Sequence, residues 1–402
     1  MTFTRNRFLP ASLWLIFFVN GAVLSSWAPR IPEVKHALAL GDGQLGAALL
    51  GIAAGSVPAL LLTGRLLQHL RPGPVSVVSA LAFAASLPLI SRSGSLFELI
   101  GALVLAGAVS GVLDVAMNTA GMVHQQQAGT RLLSTLHGGY SLGVLAGAAS
   151  GVVATGTQTS VARHFTLMAG LLIGLTALAA VPLWRQPTQR STAPMLTDED
   201  RATGRRWWQT TLPTTIAALA VSALLIEGLV TDWSALLITR DLGAPASWGA
   251  TALTVFSVAM FVSRSVGDAM IARVGEERVL ASSAVTITLA MVSGASLGQP
   301  LLMITAAGVI GLALGPVFPL AVTRAGRLHP GQEAAMTARV SAVGYLAYLA
   351  GPPGIGALAE HLPLPTVLVL VVGLASVGIA ASRRPMDARD AAGTAEAPPP
   401  EL

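Results

Sequence analysis

Three carboxylates stand inside long apolar stretches of this 402-residue chain: Asp114, Glu227 and Asp232. A charge near a bilayer centre is costly, so such groups face the interior of a helix bundle and handle protons or polar solutes. No Lys or Arg lies within the core of any stretch, so these carboxylates are expected to lack internal cations. Glu227, at the middle of its stretch, is the first candidate proton carrier; the plainer alternative is a static hydrogen bond to a neighbouring helix. Asp114 and Asn118 are four apart and share one helix face, and His137 opens the next stretch at a similar depth. Asp114 is therefore a candidate proton relay, with Asn118 and His137 shaping a gate, against the alternative of a fixed clasp. Asp232 either helps bind solute or faces water. Trp27 and Trp233 can stack on a ring-shaped or sugar-like solute or serve as belt residues, and Tyr345 and Tyr348 carry the same two readings.

The elements that must position these groups are twelve apolar runs, each about long enough to cross a bilayer. They cover 10–28, 45–64, 74–91, 99–123, 133–156 and 165–183, then 212–239, 248–263, 279–299, 301–323, 340–359 and 364–382. Hydrophobic residues make up 53% of the chain and charged residues 11%, with a mean hydropathy of +0.68, which places it in lipid. Each run is continuously apolar instead of alternating, which favours helices over barrel strands. The expectation is an all-α membrane protein. Its parts are a first bundle over 1–184, a cytosolic linker over 185–210, a second bundle over 211–384 and a disordered cytosolic tail over 385–402.

With both termini in the cytosol, all but five of the 24 Lys and Arg fall on the inner side, the exceptions being Arg30, Lys35, Arg92, Arg163 and Arg240. That bias follows the positive-inside rule, so the net charge of +5 reports topology and not nucleic-acid binding. Arg205, Arg206, Trp207 and Trp208 read as an interfacial anchor before the seventh run. The absence of Cys rules out disulfides and thiolate metal sites, and no cofactor or metal is expected. There is no HExxH or Walker loop, which disfavours a zinc hydrolase or an ATP-driven pump, and no enzyme is expected.

The second six runs echo the first. NGAVLSSWA at 20–28 aligns with EGLVTDWSA at 227–235, pairing Asn20 with Glu227, and Arg71 aligns with Arg273 after the second run of each set. Parallel repeats of this kind place a solute site between the halves near the midplane, so Asn20 and Glu227 should both face a central cavity. Pairs of glycines at four-residue spacing, Gly51/Gly55, Gly107/Gly111 and Gly311/Gly315, are expected to allow close helix packing.

Together with DVAMN at 114–118, LHGGYSLG at 136–143, SRSVGDAMIARVG at 263–275 and GYLAYLAGPPGIGALAE at 344–360, these residues make the chain resemble the major facilitator superfamily over essentially its whole length. It looks most like the YbjJ-like branch of bacterial inner-membrane proteins. The resemblance implies two parallel six-helix repeats and gating residues among Arg71, Arg264, Asp268 and Arg273. It departs from drug antiporters: Gln68 stands near the place of the usual loop acid, and the fifth run has no Gly-Pro.

The expected function is secondary active transport of a small organic solute by alternating access in the cytoplasmic membrane, as a monomer. Proton-coupled export of a metabolite or drug-like compound is the first reading. Proton symport of a sugar-like or other polar metabolite is the second, and a non-transporting sensor or lipid-handling protein is the third.

Overall fold

The computed structural model describes residues 8–40, 42–185, 212–328 and 332–383. The interior of the expected linker, with its tryptophan pair, and the expected tail lie outside those residues. Hydrocarbon offers backbone N–H and C=O groups no partners, and a helix satisfies both within itself. The described chain accordingly folds into helices α1 (Leu9–Trp27), α2 (Ile31–Ala37), α3 (Asp42–Leu66), α4 (Pro72–Arg92), α5 (Leu96–Ala128), α6 (Leu133–Gly156) and α7 (Val161–Trp184). After the linker come α8 (Thr214–Leu236), α9 (Ala246–Val274), α10 (Glu276–Ser296), α11 (Pro300–Leu314), α12 (Val317–Leu328), α13 (Glu333–Ala359) and α14 (Leu364–Ala381). Among the described residues 11 spans are long and apolar enough to cross a membrane, and α13, of 27 residues, is a further helix of crossing length.

Local signals set the ends. Ser95 accepts a hydrogen bond from the Glu98 N–H, while Glu98 Oε2 accepts one from the Gly94 N–H at 2.7 Å, a reciprocal cap for α5. Gly129, at φ 66°, takes the left-handed conformation that stops the same helix. Two boundaries differ from the apolar runs. The eighth run ends at Ser263, but α9 continues to Val274, with Arg264 and Asp268 finding partners on neighbouring helices. The tenth run divides into α11 and α12 around Gly315 and Pro316, since proline cannot extend the hydrogen-bond ladder.

The repeat seen in sequence recurs in packing. In the first half α1 lies on α6, α3 on α5 and α4 on α7; in the second, α8 lies on α13, α9 on α11 and α10 on α14. Glycine sets the closeness of these pairs. A Cβ on Gly107 would overlap the Ile52 carbonyl, and one on Gly311 would come 2.6 Å from the Phe256 carbonyl oxygen.

We call the end where α1 begins and α14 finishes proximal, and the other distal. The halves meet chiefly through α6 against α9 and α3 against α13. The atoms in contact across that seam lie towards the proximal end: Gly64 against Ala335 and Ala338, Gly138 against Ser265, and Gly267 against Ser134.

Candidate transport site and proximal gate

Arg264 is the centre of the site. Its side chain is 4% exposed, and Nη2 donates to Glu227 Oε2 at 3.0 Å across α8 and α9. Nη1 donates to Ser141 Oγ on α6 at 2.9 Å, and Nε to the Gly315 carbonyl at 3.3 Å. This corrects the expectation that no internal cation neutralises the carboxylates. The apolar run stopped one residue short of Arg264, but the helix carrying it did not. Glu227 is 20% exposed, so the ion pair has one accessible member and one enclosed member.

Asp114 and Asn118 do share a face of α5. Asn118 Nδ2 donates to the Asp114 backbone oxygen at 2.9 Å and to Oδ1 at 3.3 Å, and Asn118 Oδ1 pairs with His137 Nε2 at 3.1 Å. The His137 ring stands edge-on to Phe17 in the first half and Phe318 in the second, with centroids 5.1 and 5.8 Å away. The three polar groups thus form one buried string ending at the seam. Beyond it, Asp114 Oδ2, Thr337 Oγ1 and Ser341 Oγ are buried without hydrogen-bond partners, although Ser341 lies beside the Asp114 carboxyl. Sequence reasoning missed Ser141, Thr337 and Ser341. Ser141 follows His137 by one helical turn, and Thr337 precedes Ser341 by one turn, so polar residues at four-residue spacing were the available signal.

Closer to the proximal end, the second half caps the first. The N-terminal residues of α6 leave N–H groups without intrahelical acceptors. Gln125 Oε1 accepts from Leu132 at 2.7 Å and Leu133 at 3.2 Å, while Asp268, from α9, accepts from Ser134 at 3.3 Å and Thr135 at 2.7 Å. Asp268 is therefore an N-cap supplied from the opposite half. Glu276 adds an ion pair with Arg131 at 2.8 Å across the seam and holds Arg324 and Arg327 at 2.9 and 2.6 Å within its own half.

Loss of an N-cap costs about 1–2 kcal/mol. Asp268→Ala should therefore raise the population opened at the proximal end about 5- to 30-fold. Because the chain has no Cys, a single Ser341→Cys reporter in this fully buried seam measures it: labelling should quicken by that factor, and an unchanged rate would show that Asp268 does not latch the halves.

Other expected site residues fall elsewhere. Asn20 is buried in α1, and Trp27 is buried against Phe165, with centroids 6.2 Å apart, within the first half. Asp232 is exposed, with Thr231 Oγ1 at 3.4 Å from Oδ1. Trp233 packs towards Gly356 of α13, and Tyr345 packs on Leu60, Val115 and Ala338 at the seam. Tyr348 lies on α13, its side chain outside what is described. Arg71 donates to the Trp184 carbonyl, joining α4 to α7 within the first half, and Arg273 is exposed at the proximal end. Among the described residues no group of three or more His, Cys, Asp or Glu is placed to hold a metal.

Two six-helix bundles, related by a repeat and latched at one end beside a largely buried ion pair, define a membrane transporter of the two-bundle type. No family model matches the chain. It is 31% identical over 366 residues to an uncharacterized transporter of Sinorhizobium fredii, covering 89% of this chain and 93% of that one. It is 29% identical over 372 residues to an uncharacterized MFS-type transporter of Yersinia pestis, covering 92% and 94%. Among solved structures it resembles the E. coli fucose:proton symporter FucP in its outward conformation, with a TM-score of 0.75, 16% identity, and 94% and 99% of the two chains covered. The chain belongs to the major facilitator superfamily.

Proposed function

We propose that this protein is a proton-coupled secondary transporter moving a small organic solute across the bacterial cytoplasmic membrane. It works as a monomer with both termini cytosolic, so that the proximal latch is the inner gate. Glu227 carries the proton, and solute and proton travel in the same direction, in preference to export. The observation that carries this reading is the Glu227–Arg264 pair, 3.0 Å apart. It joins a carboxylate within reach of solvent to a cation that also bonds Ser141 of the other half, so a proton on Glu227 is felt at the seam. Asp114 is the second proton site: its acid form can donate from Oδ2 to Ser341 and strengthen the closed inner gate. The likeness to FucP, described as a fucose:proton symporter, supports coupling to protons.

The test uses proteoliposomes containing a pH dye and challenged with pooled metabolites. Wild-type protein should acidify the lumen as solute enters, and Glu227→Gln should reduce that signal at least about 100-fold, equivalent to roughly 2.7 kcal/mol of lost coupling. Solute entry without a pH signal would remove proton coupling. Unchanged coupled flux in a folded Asp114→Asn variant would remove Asp114 alone. A Gln158→Cys reporter on the exposed distal turn between α6 and α7 should react with an impermeant thiol reagent from outside the cell.

A further inference from the structure

Resting on Glu227 as the proton carrier, we propose that the solute bears a carboxylate, or another singly charged anionic group, which replaces Glu227 on Arg264 when Glu227 is protonated. Arg264 is held in place by Ser141 Oγ and the Gly315 carbonyl, neither of which carries charge. Its ion-pair partner among the described residues is Glu227. Protonating that partner leaves a 4%-exposed guanidinium without a counter-ion, a state heavily penalised away from water. An incoming anion removes the penalty. A neutral sugar does not, and an amine adds a second positive charge.

Among the described residues, the other charged groups along α9 and on its neighbours α6, α8, α10 and α11 are engaged elsewhere or exposed. One turn along α9, Asp268 is occupied by the Ser134 and Thr135 N–H groups. On α6, His137 is engaged with Asn118. On α10, Glu276 is surrounded by Arg131, Arg324 and Arg327, while Glu277 and Arg278 are exposed at the proximal end. α11 contributes no titratable side chain. On α8, Asp232 is five residues from Glu227, about 140° around the helix, and exposed. The accessible member of the pair is the acid and the enclosed member is the cation, so a solute arriving from the distal side meets the group it displaces.

The cycle balances. A proton from the distal side adds to Glu227 Oε2, and the solute anion forms the ion pair that Glu227 has released. After the halves rock, solute and proton leave on the proximal side and Glu227 pairs again with Arg264. One positive and one negative charge cross together, so transport is electroneutral and responds to the pH difference and not to membrane voltage. Proton and anion stabilise each other's binding, which is the reciprocity a symporter requires.

Sodium formate is the probe, with the zwitterionic buffer and ionic strength held constant and thermal unfolding of the purified full-length protein as the readout. In wild type, formate should raise the melting temperature more at about pH 5 than at about pH 8, because the proposal couples anion binding at Arg264 to proton uptake. In Glu227→Gln the rise should be about 2 °C or more at either pH, and Glu227→Gln/Arg264→Gln should lose it. Equal shifts in the single and double variants overturn the proposal, as does a wild-type shift no larger in acid. The wild-type comparison needs no variant to fold. Failure here with coupled flux intact would remove the anionic solute and leave Glu227 as the proton carrier; intact formate binding without coupled flux would do the reverse.

Discussion

Arg264→Met should destabilise the protein by about 3 kcal/mol, and adding Glu227→Gln should restore most of that loss. Removing one member of a buried pair leaves the other charge without compensation, typically at 3–5 kcal/mol, whereas removing both can be close to neutral. The figure is set at the lower edge because Glu227 is 20% exposed and keeps some hydration. For a chain of this size the single variant should melt about 5 °C below wild type. The double variant should recover to within a degree or two, apart from what Ser141 and the Gly315 carbonyl lose as acceptors. A double-mutant cycle by thermal unfolding isolates the coupling between the two side chains. Simple additivity of the two changes would mean that the pair does not hold α8 to α9, and would detach proton binding at Glu227 from the movement of α9.

The fold was legible because lipid enforces one rule over long stretches: helical segments must be apolar wherever they face hydrocarbon, and Arg and Lys must gather on one side. Charged residues inside helices escape that rule when neighbouring helices satisfy them. Arg264 illustrates this. Sitting one residue past an apolar run, it read as a residue at a helix end, yet α9 continues for ten residues beyond it. The pairing of Asp114, Asn118 and His137 was legible since two of them are one turn apart and the third opens the adjacent helix. The Asp268 cap on α6 and the Glu276–Arg131 bridge were not, because they join residues more than 130 positions apart and depend on which end of the bundle is closed. The repeat aligns Asn20 with Glu227, but the pairing of Glu227 with Arg264 depends on a residue beyond the aligned segments.

Glycine substitutions should have the largest effect on the yield of folded protein. Gly107→Leu is expected to abolish stable expression, whereas Gly101→Leu, six residues earlier on the same helix, should be tolerated. At Gly107 a Cβ would overlap the Ile52 carbonyl of α3, and on the facing side a Cβ on Gly55 would overlap the Val104 carbonyl of α5, whereas nothing lies within 4 Å of a Cβ at Gly101. Backbone atoms cannot rotate away as side chains can, so α3 and α5 would have to separate along a shared face. In lipid, where association rests on van der Waals contact between closely spaced backbones, the loss should exceed about 3 kcal/mol. Gly311→Leu should fail in the same way through Phe256 in the second half, as the repeat requires. Gel filtration of detergent extracts gives the comparison: a monodisperse Gly107→Leu peak equal to that of Gly101→Leu would show that backbone approach does not set the spacing of α3 and α5. The position of Gly64 against Ala338 at the inter-half seam depends on that spacing, so the gate is only as well placed as the glycine-packed pair that carries it.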